Sequence, residues 1–561
     1  MLKLNVIILT LFFSITCFAN DQILIVSGGD NPGLNNYSQY LQTKTLYDFV
    51  VQKNKNNTTV YFGAGNNETT VNPSLDVRKT ETVNTIKMDS MQPGVISNNS
   101  AATKQNVSSY FFSEQAQKIT TEDNLFLFVS DHGLPNSFMA DNKADPYSDN
   151  CIDLWHFNGE LINNFLDKDN FYRICLSKNE LSTLLSDTIH PKHVVFEMSQ
   201  CFSGGFHQLS VRMKNGYPVA DGKICGFTSA PPDHYASGCT SEASGPSYQG
   251  YERYFTEWFT GISVPTGKSL RPPAKNMLEA HQNALLEDMT VDVPLTTSDY
   301  YLLQWANLFE DSSFISRTPG FLSDKIQTIY KNYQKNISSM ENKDFIQFNK
   351  LVALNAKEIL KKYPKDQEFF SLSLDAQKKY IEQKEKIYEE EGQAFFAKMD
   401  GMMNIYRNII LPPWEIAIKN KQATLTDKQY IMEKDFYIPI IEKNLFNYPY
   451  QFKALFAQYL SVNHNDKDIQ DYARQRYEII KKWAITNNLP AIKNAVDAFA
   501  NYDAAFETKS DTNMENEREK QLLNRIYTYN KIIAAWVTLQ QINDSQALSD
   551  LASLWECQHS G

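Results

Sequence analysis

A histidine and a cysteine each follow a continuous apolar stretch of this sequence. Residues 125–129 (LFLFV) lead into Ser130-Asp131-His132, and residues 193–196 (HVVF) lead through four further residues to Cys201. A cysteine nucleophile needs a base that takes its proton and later returns one to a leaving amine. Histidine can do both near neutral pH. The pair therefore predicts covalent catalysis with Cys201 as nucleophile and His132 as base.

Gly133 follows the histidine directly. The absence of a side chain lets a backbone N–H come close to a reacting carbonyl, where it can stabilise the oxyanion. The sequence contains no phosphate loop, dinucleotide fingerprint or Cys-x-x-Cys motif. His190 and His193 flank Pro191, which disfavours a helical metal pair. We therefore expect no metal site and no cofactor.

The elements that must position this pair form an α/β pattern. Helix-like segments, such as residues 43–53, separate short apolar runs, and continuous apolar strands between helices are typical of a mostly parallel sheet covered on both faces. Sites in such sheets form beyond the carboxyl ends of the strands. Residues 63–108, rich in Asn, Thr and Ser, read as a long solvated excursion. The predicted strands are residues 23–26, 58–62, 125–129, 193–196 and 224–228.

The texture of the sequence changes near residue 320. Beyond it, charged residues interleave with apolar ones at helical spacing, most clearly over 375–399 and 517–541. Breaks between helices are expected at Pro412-Pro413, Pro439 and Pro490. Residues 321–561 carry about 32 basic and about 32 acidic side chains, so the net charge of −11 belongs to the first 320 residues. This balance argues against a nucleic-acid partner and is compatible with a basic peptide.

The N-terminus has the features of an export signal. Lys3 precedes an apolar run over residues 6–13, and small residues stand at Cys17 and Ala19. We expect residues 1–19 to be a cleaved signal peptide and the mature chain to have no membrane span. The protein would be secreted or periplasmic, or in a lysosome-like compartment of a eukaryote. Export implies an oxidising environment, in which the local pairings Cys151–Cys175 and Cys225–Cys239 come first, although connectivity stays open.

An apolar run, His-Gly, a spacer, a second apolar run and Cys together resemble the caspase-fold cysteine peptidases, and among them the legumains (asparaginyl endopeptidases). The stretches that carry the resemblance are 128–133, Cys201 with Ser203-Gly204, 228–230 and 239–250. It covers residues 22 to about 315. It implies a caspase-like, mostly parallel sheet flanked by helices in residues 20–320. An all-α C-terminal domain at 321–561, similar in a general way to a helical prodomain, would follow and could be regulatory.

The resemblance also implies roles for particular residues. Cys201 would be the nucleophile, His132 the general base and acid, and Asn36 the residue that orients the histidine. The backbone N–H groups of Gly133 and Cys201 would form the oxyanion hole. The family's asparagine pocket has an arginine, a glutamate two residues before the cysteine and a later acid; here Ser38, Ser199 and Glu242 match those positions. A single carboxylate without its arginine favours Lys or Arg before the scissile bond.

The expected function is therefore an exported cysteine endopeptidase acting on peptides or proteins, with an altered specificity pocket. A transamidase or a peptide ligase would use the same residues and differ only in the acceptor of the acyl group. A non-catalytic binding protein that uses the helical domain is the alternative from another class. We also expect the helical domain to inhibit the site, since its basic side chains could face an acidic peptidase domain.

Overall fold

The computed structural model describes thirteen segments of the chain: residues 21–31, 34–66, 72–80, 83–91, 96–135, 145–156, 168–238, 249–288, 290–336, 361, 366, 368–442 and 467–560. The predicted signal peptide, Cys239 and Glu242 lie outside these segments. The described residues combine one large sheet with many helices.

Fourteen strands are found in the described segments. They are β1 (Gln22–Ser27), β2 (Thr58–Phe62), β3 (Asn72–Thr80), β4 (Val83–Met91), β5 (Asn99–Ser100), β6 (Asn124–Ser130), β7 (His132–Leu134), β8 (Cys151–Asp153), β9 (Cys175–Ser177), β10 (His193–Met198), β11 (Val211–Lys214), β12 (Tyr217–Ala220), β13 (Ile224–Thr228) and β14 (Leu295–Thr296).

The helices of the described segments fall into a group before residue 320 and a group after it. The first comprises α1 (Tyr37–Asn54), α2 (Lys104–Tyr110), α3 (Lys168–Ile174), α4 (Lys178–Thr188), α5 (Tyr251–Thr260), α6 (Met277–Glu287), α7 (Thr297–Glu310) and α8 (Ser312–Arg317). The second comprises α9 (Gly320–Lys331), α10 (Tyr333–Asn336), α11 (Leu374–Ile405), α12 (Leu411–Lys419), α13 (Asp427–Met432), α14 (Ile438–Glu442), α15 (Lys467–Thr486), α16 (Pro490–Ile542) and α17 (Ser545–His559).

The main sheet has seven strands in the order β14-β13-β10-β6-β1-β2-β5. All neighbours run parallel except β13 and β14. All five strands predicted from apolar runs are present, and the predicted mostly parallel α/β sheet with a helical C-terminal region is confirmed. Parallel strands align their carboxyl ends, so the residues after β6 and β10 emerge at the same edge.

Helices cover both faces of the sheet because its strands are apolar on both sides. One face packs α2 and α4 around Leu127, Val129 and Phe196. The other packs α1, α5 and α6 around Ile25, Phe128 and their neighbours.

The last two helices share a core with the sheet region. Residues of α16 and α17 pack with α7, α9 and Leu295 of β14. Cys557 of α17 forms a disulfide with Cys225 of β13, across 332 residues of sequence. The expected Cys225–Cys239 pairing is therefore wrong. Cys225 is buried in the sheet, and its partner is the cysteine of the helix that packs against β13. The predicted Cys151–Cys175 bridge is confirmed.

A second core lies further out in the helical region. It joins the end of α11 to α12, α14, α15 and the start of α16, around Trp414, Ile480 and Val496. The prolines at 412–413 and 439 do not separate helices there. Each follows a π-helical segment, Tyr406–Ile410 or Glu433–Tyr437, through which the helical path continues. A wider turn accommodates a residue that cannot donate the usual hydrogen bond. Pro490, in contrast, begins α16 as predicted.

The expected solvated excursion at 63–108 is wrong in part. Strands β3 and β4 pair as an antiparallel hairpin, and β5 joins the edge of the main sheet beside β2. Polar residues can form such strands once an edge partner is available, which composition alone does not reveal. No helix in the described segments is long and apolar enough to cross a membrane.

Candidate active site

The segments that carry His132 and Cys201 touch each other at the carboxyl edge of the sheet. His132 follows β6 and Cys201 follows β10, and these strands are direct neighbours. A Cβ placed on Gly133 would lie 1.8 Å from the carbonyl oxygen of Cys201. Only glycine permits that approach, so the residue after the histidine packs on the backbone of the cysteine.

The ring of His132 is held from the β1 side of the sheet. Its Nε2 lies 2.9 Å from the carbonyl oxygen of Leu34 and 3.0 Å from Nδ2 of Asn36. In the tautomer with the proton on Nε2, the ring donates to the carbonyl of Leu34 and Nδ1 keeps its lone pair; the amide nitrogen of Asn36 only donates, so in that tautomer it contacts Nε2 without a hydrogen bond. Asn36 thus contacts the histidine, as the resemblance implies, and the carbonyl of Leu34 is a partner that the sequence did not reveal.

Asp131 fixes the backbone that carries the histidine. Its buried Oδ1 accepts from the N–H groups of Gly29 and His132, both at 2.7 Å. Burial raises the pKa of this carboxyl well above its usual value, and the two N–H groups oppose the change. The carboxyl joins the ends of β1 and β6. Its role is therefore structural, and we do not assign it a role in proton transfer to a substrate.

Cys201 is the only cysteine without a disulfide among the described residues, and it is partly accessible to solvent. Its thiol group lies among protein atoms, and the N–H of Ala236 donates to Sγ at 3.3 Å. Burial raises the pKa of the thiol to about 11, although that N–H opposes the shift. The thiol therefore keeps its proton at neutral pH, and a neighbouring base is required to make it nucleophilic.

A tight turn presents the cysteine. Phe202 adopts a left-handed conformation (φ 59°), and its N–H donates to the carbonyl of His234 at 2.8 Å. Gly204 packs so closely on the loop after β13 that a Cβ would lie 2.6 Å from the carbonyl oxygen of Ala230. The glycine at position 204 is thus explained by the close approach of this turn to the loop that follows β13.

Two of the three expected pocket residues are described. The Ser38 hydroxyl is buried and donates to the carbonyl of Gly238 at 3.2 Å, so it contacts the loop that follows Ala236. The hydroxyl of Ser199 donates to the carbonyl of Val129 at 3.1 Å and links β10 to β6. Glu242 lies outside the described residues.

An acid that the sequence analysis did not single out lies beside Gly238, the residue that Ser38 contacts. Glu252, near the start of α5, is 2% exposed, and a Cβ on Gly238 would lie 2.0 Å from its carboxyl carbon. No cation pairs with it in the part of the chain that the structure describes. Burial raises its pKa to about 8, Gln42 lowers it, and Asp292 raises it further.

A sequence signal for this acid did exist. Glu252 shares a helix face with Phe255 and Phe259, which are buried against the sheet. A carboxylate on an otherwise apolar helix face is costly to bury, and such residues are candidates for function.

The described residues contain no group of three His, Cys, Asp or Glu side chains placed to hold a metal ion. Comparison with known proteins adds no identity: no protein-family model matches the chain, and no curated protein matches it.

Proposed function

We propose that this protein is a cysteine endopeptidase with a caspase-like fold, similar to the legumains, and that it acts in an oxidising, extracytoplasmic compartment. The observation that carries the proposal is the contact between the two segments, in which Gly133 of β7 packs on the backbone of Cys201. The fixed Nε2 of His132 supports it further. Two disulfides are consistent with the compartment.

The proposed reaction begins when Nδ1 of His132 takes the proton of the Cys201 thiol. The thiolate attacks the scissile carbonyl carbon, and backbone N–H groups of Gly133 and Cys201 stabilise the oxyanion. His132 then protonates the leaving amine as the C–N bond breaks, leaving a thioester. Water, deprotonated by His132, attacks the thioester and releases the acid and the thiol. Asn36 and the carbonyl of Leu34 keep the imidazole oriented throughout.

The preferred residue before the scissile bond is proposed to be Lys or Arg. Glu252 is a buried carboxyl beside Ser38 and Gly238 and has no cationic partner among the described residues. A substrate cation would supply that partner and favour the ionised carboxylate. In this proposal Glu252, rather than Glu242, is the acidic residue that binds the basic side chain of the substrate.

The test is cleavage of a diverse peptide library by the full-length chain and by Cys201→Ala and His132→Ala. Each variant should lose about 10³-fold or more in activity, and the double variant should be no worse, because the pair acts as a unit. Circular dichroism checks that the variants fold. Undiminished cleavage by Cys201→Ala would overturn the proposal. Adding an amine acceptor distinguishes a transamidase, which would form the amide product in place of the acid.

A further inference from the structure

A buried arginine from the C-terminal helical region holds a loop of the sheet region. Arg525, on α16, is 2% exposed. Its Nη2 donates to the carboxylate of Asp288 at 2.8 Å, and its Nη1 donates to the carbonyl of the same residue at 2.8 Å. Its Nε donates to the carbonyl of Asp292 at 2.9 Å. One guanidinium thus fixes both ends of the connection between α6 and β14.

The held loop in turn supports a second one. The buried carboxylate of Asp292 accepts from the N–H and the hydroxyl of Ser237, both at 2.7 Å. It also accepts from the N–H of Tyr251 at 2.9 Å, at the start of α5. The position of Asp292 therefore determines where Ser237 and the first turn of α5 lie.

Ser237 belongs to the wall of the candidate site. The residue before it, Ala236, donates its N–H to Sγ of Cys201. The residue after it, Gly238, accepts from Ser38 and packs on Glu252. A displacement of this short segment would move the nucleophile's neighbour and the pocket wall together.

The charges make the arrangement depend on the arginine. Asp288 and Asp292 are both buried, and burial raises the pKa of each, while Arg525 opposes the change. Without the guanidinium, the carboxylate of Asp288 and the carbonyls of Asp288, Thr290 and Asp292 would lose their donor at the same time. A lysine would restore the charge but not the fork that reaches several acceptors.

We propose that Arg525 is a positioning residue of the peptidase site, so that α16 is a permanent part of the active enzyme. The inference rests on the proposed function. It assigns α16 a supporting role and predicts that loss of this helix removes activity rather than releasing it.

The test uses the full-length chain with Arg525→Gln, Arg525→Lys and the control Lys531→Gln. Lys531 lies on the same helix and donates to Asn307 and Glu310 of α7, so it also joins α16 to the sheet region, and its hydrogen bonds within the described segments do not involve residues 288–292. Two rates are measured per folded molecule: kcat/KM for the best library substrate, and alkylation of Cys201 by iodoacetamide. The alkylation rate needs no substrate, so it reports changes around the Cys201 thiol even when no peptide is cleaved.

We expect Arg525→Gln to lower kcat/KM by about 10- to 100-fold and to change the alkylation rate, with partial recovery in Arg525→Lys. Lys531→Gln should leave both rates within about twofold of wild type. Tyr529→Phe, which removes only the hydroxyl that donates to Pro294 at 2.7 Å, serves where Arg525→Gln does not fold, and should lower kcat/KM by about two- to fivefold. Unchanged rates in a folded Arg525 variant, or in Tyr529→Phe where it stands in, would overturn the proposal. Absence of any peptidase activity together with altered alkylation would refute the proposed function alone.

Discussion

Two buried arginines on the C-terminal helices show how differently the two helical cores are used. Arg476 on α15 pairs with Glu433, and the same carboxylate also accepts from Tyr472 and Trp414. All of these residues belong to the outer helical region, and the hydrogen bonds found for this network in the described segments do not reach the sheet region. Among the described residues, the hydrogen-bond acceptors of Arg525 all lie in the sheet region, at residues 288, 290 and 292. The same residue type stabilises a bundle in one place and couples a bundle to a candidate site in the other.

The difference follows from which helices meet the sheet. α16 begins in the outer core, at Ile492 and Val496, and ends in the core shared with α7 and β14. α17 then packs on β13 and carries Cys557. The change of composition near residue 320 is therefore not matched by an interruption in packing.

The variant Arg476→Met should show the largest difference between the two regions: it should destabilise the outer helical core and leave the candidate site unchanged. Removal of one partner leaves Glu433 buried and uncompensated, which costs about 3–5 kcal/mol in unfolding free energy. Because the network does not reach the sheet, the alkylation rate of Cys201 should stay at the wild-type value. Urea unfolding measures the first quantity and iodoacetamide the second. Altered alkylation in the folded variant would mean that the two cores are coupled through α16.

Loss of the Cys225–Cys557 disulfide should destabilise the sheet region rather than the outer helical core. The double variant Cys225→Ala/Cys557→Ala releases α17 from β13 and should destabilise the sheet region by about 2–5 kcal/mol. The matched control is Cys151→Ala/Cys175→Ala, whose bridge spans only 24 residues of sequence. Its cost should be smaller, because a shorter loop loses less chain entropy. Equal stability of all three proteins would contradict this account.

Glu252→Gln tests the proposed substrate-binding role of Glu252 within the sheet region. Removing the charge should lower kcat/KM for Lys and Arg substrates by about 10- to 100-fold, because a charge-assisted hydrogen bond contributes about 1.5–3 kcal/mol. Cleavage after Asn should change little. Glu257→Gln is the matched control, since Glu257 is buried on the same helix but pairs with Arg253. A library profile limited to Asn in the wild-type protein would refute the assignment of Glu252.

The smallest expected effect concerns pH. Burial raises the pKa of Asp30 to about 7 and that of Glu252 to about 8, so the folded state holds protons that the unfolded state has lost. Stability from these groups is fully present below their ordinary pKa and is lost as pH rises through the raised values. Burial also lowers the pKa of His207 and His281 to about 3, so above pH 6.5 they are largely neutral in both states.

Between about pH 6.5 and 8 the unfolding free energy should therefore fall, by about 1–2 kcal/mol. Asp30→Asn should reduce the fall of the unfolding free energy with pH. Arg476→Met, which changes the outer core, should leave this pH dependence unaltered. Urea titrations at several pH values provide the measurement. A stability that rises over this interval would exclude protonated carboxyls at the sheet edge.

Inhibition by the helical region remains a prediction, and it conflicts with the role proposed for α16. Inhibition requires that removal of the helices increases activity, whereas support by Arg525 requires that it decreases activity. A chain that ends near residue 320 would also lack Cys557 and the α16 and α17 side of the shared core. Point variants in α16 therefore distinguish the two ideas more cleanly than truncation.

The sequence by itself determined the sheet and singled out the candidate nucleophile and base; it left the disulfide connectivity open, and one of the two pairings that it favoured is present. The strands are readable because continuous apolar runs are a local signal, and parallel order brings their carboxyl ends to one edge. His132 and Cys201 follow two such runs. Because these runs form neighbouring parallel strands, the two residues lie at the same edge of the sheet. Gly133 was readable for the same reason, since only a residue without a side chain permits the close approach.

Only the tertiary structure decided which distant groups lie around the candidate site. Cys225 pairs across 332 residues, Glu252 faces Gly238 from another helix, and Arg525 reaches the loop at 288–292 from the far end of the chain. No periodicity encodes these contacts, because each depends on how two separately folded elements pack. The choice of partner is made by burial: a thiol, a carboxyl or a guanidinium excluded from water must find its counterpart within the fold.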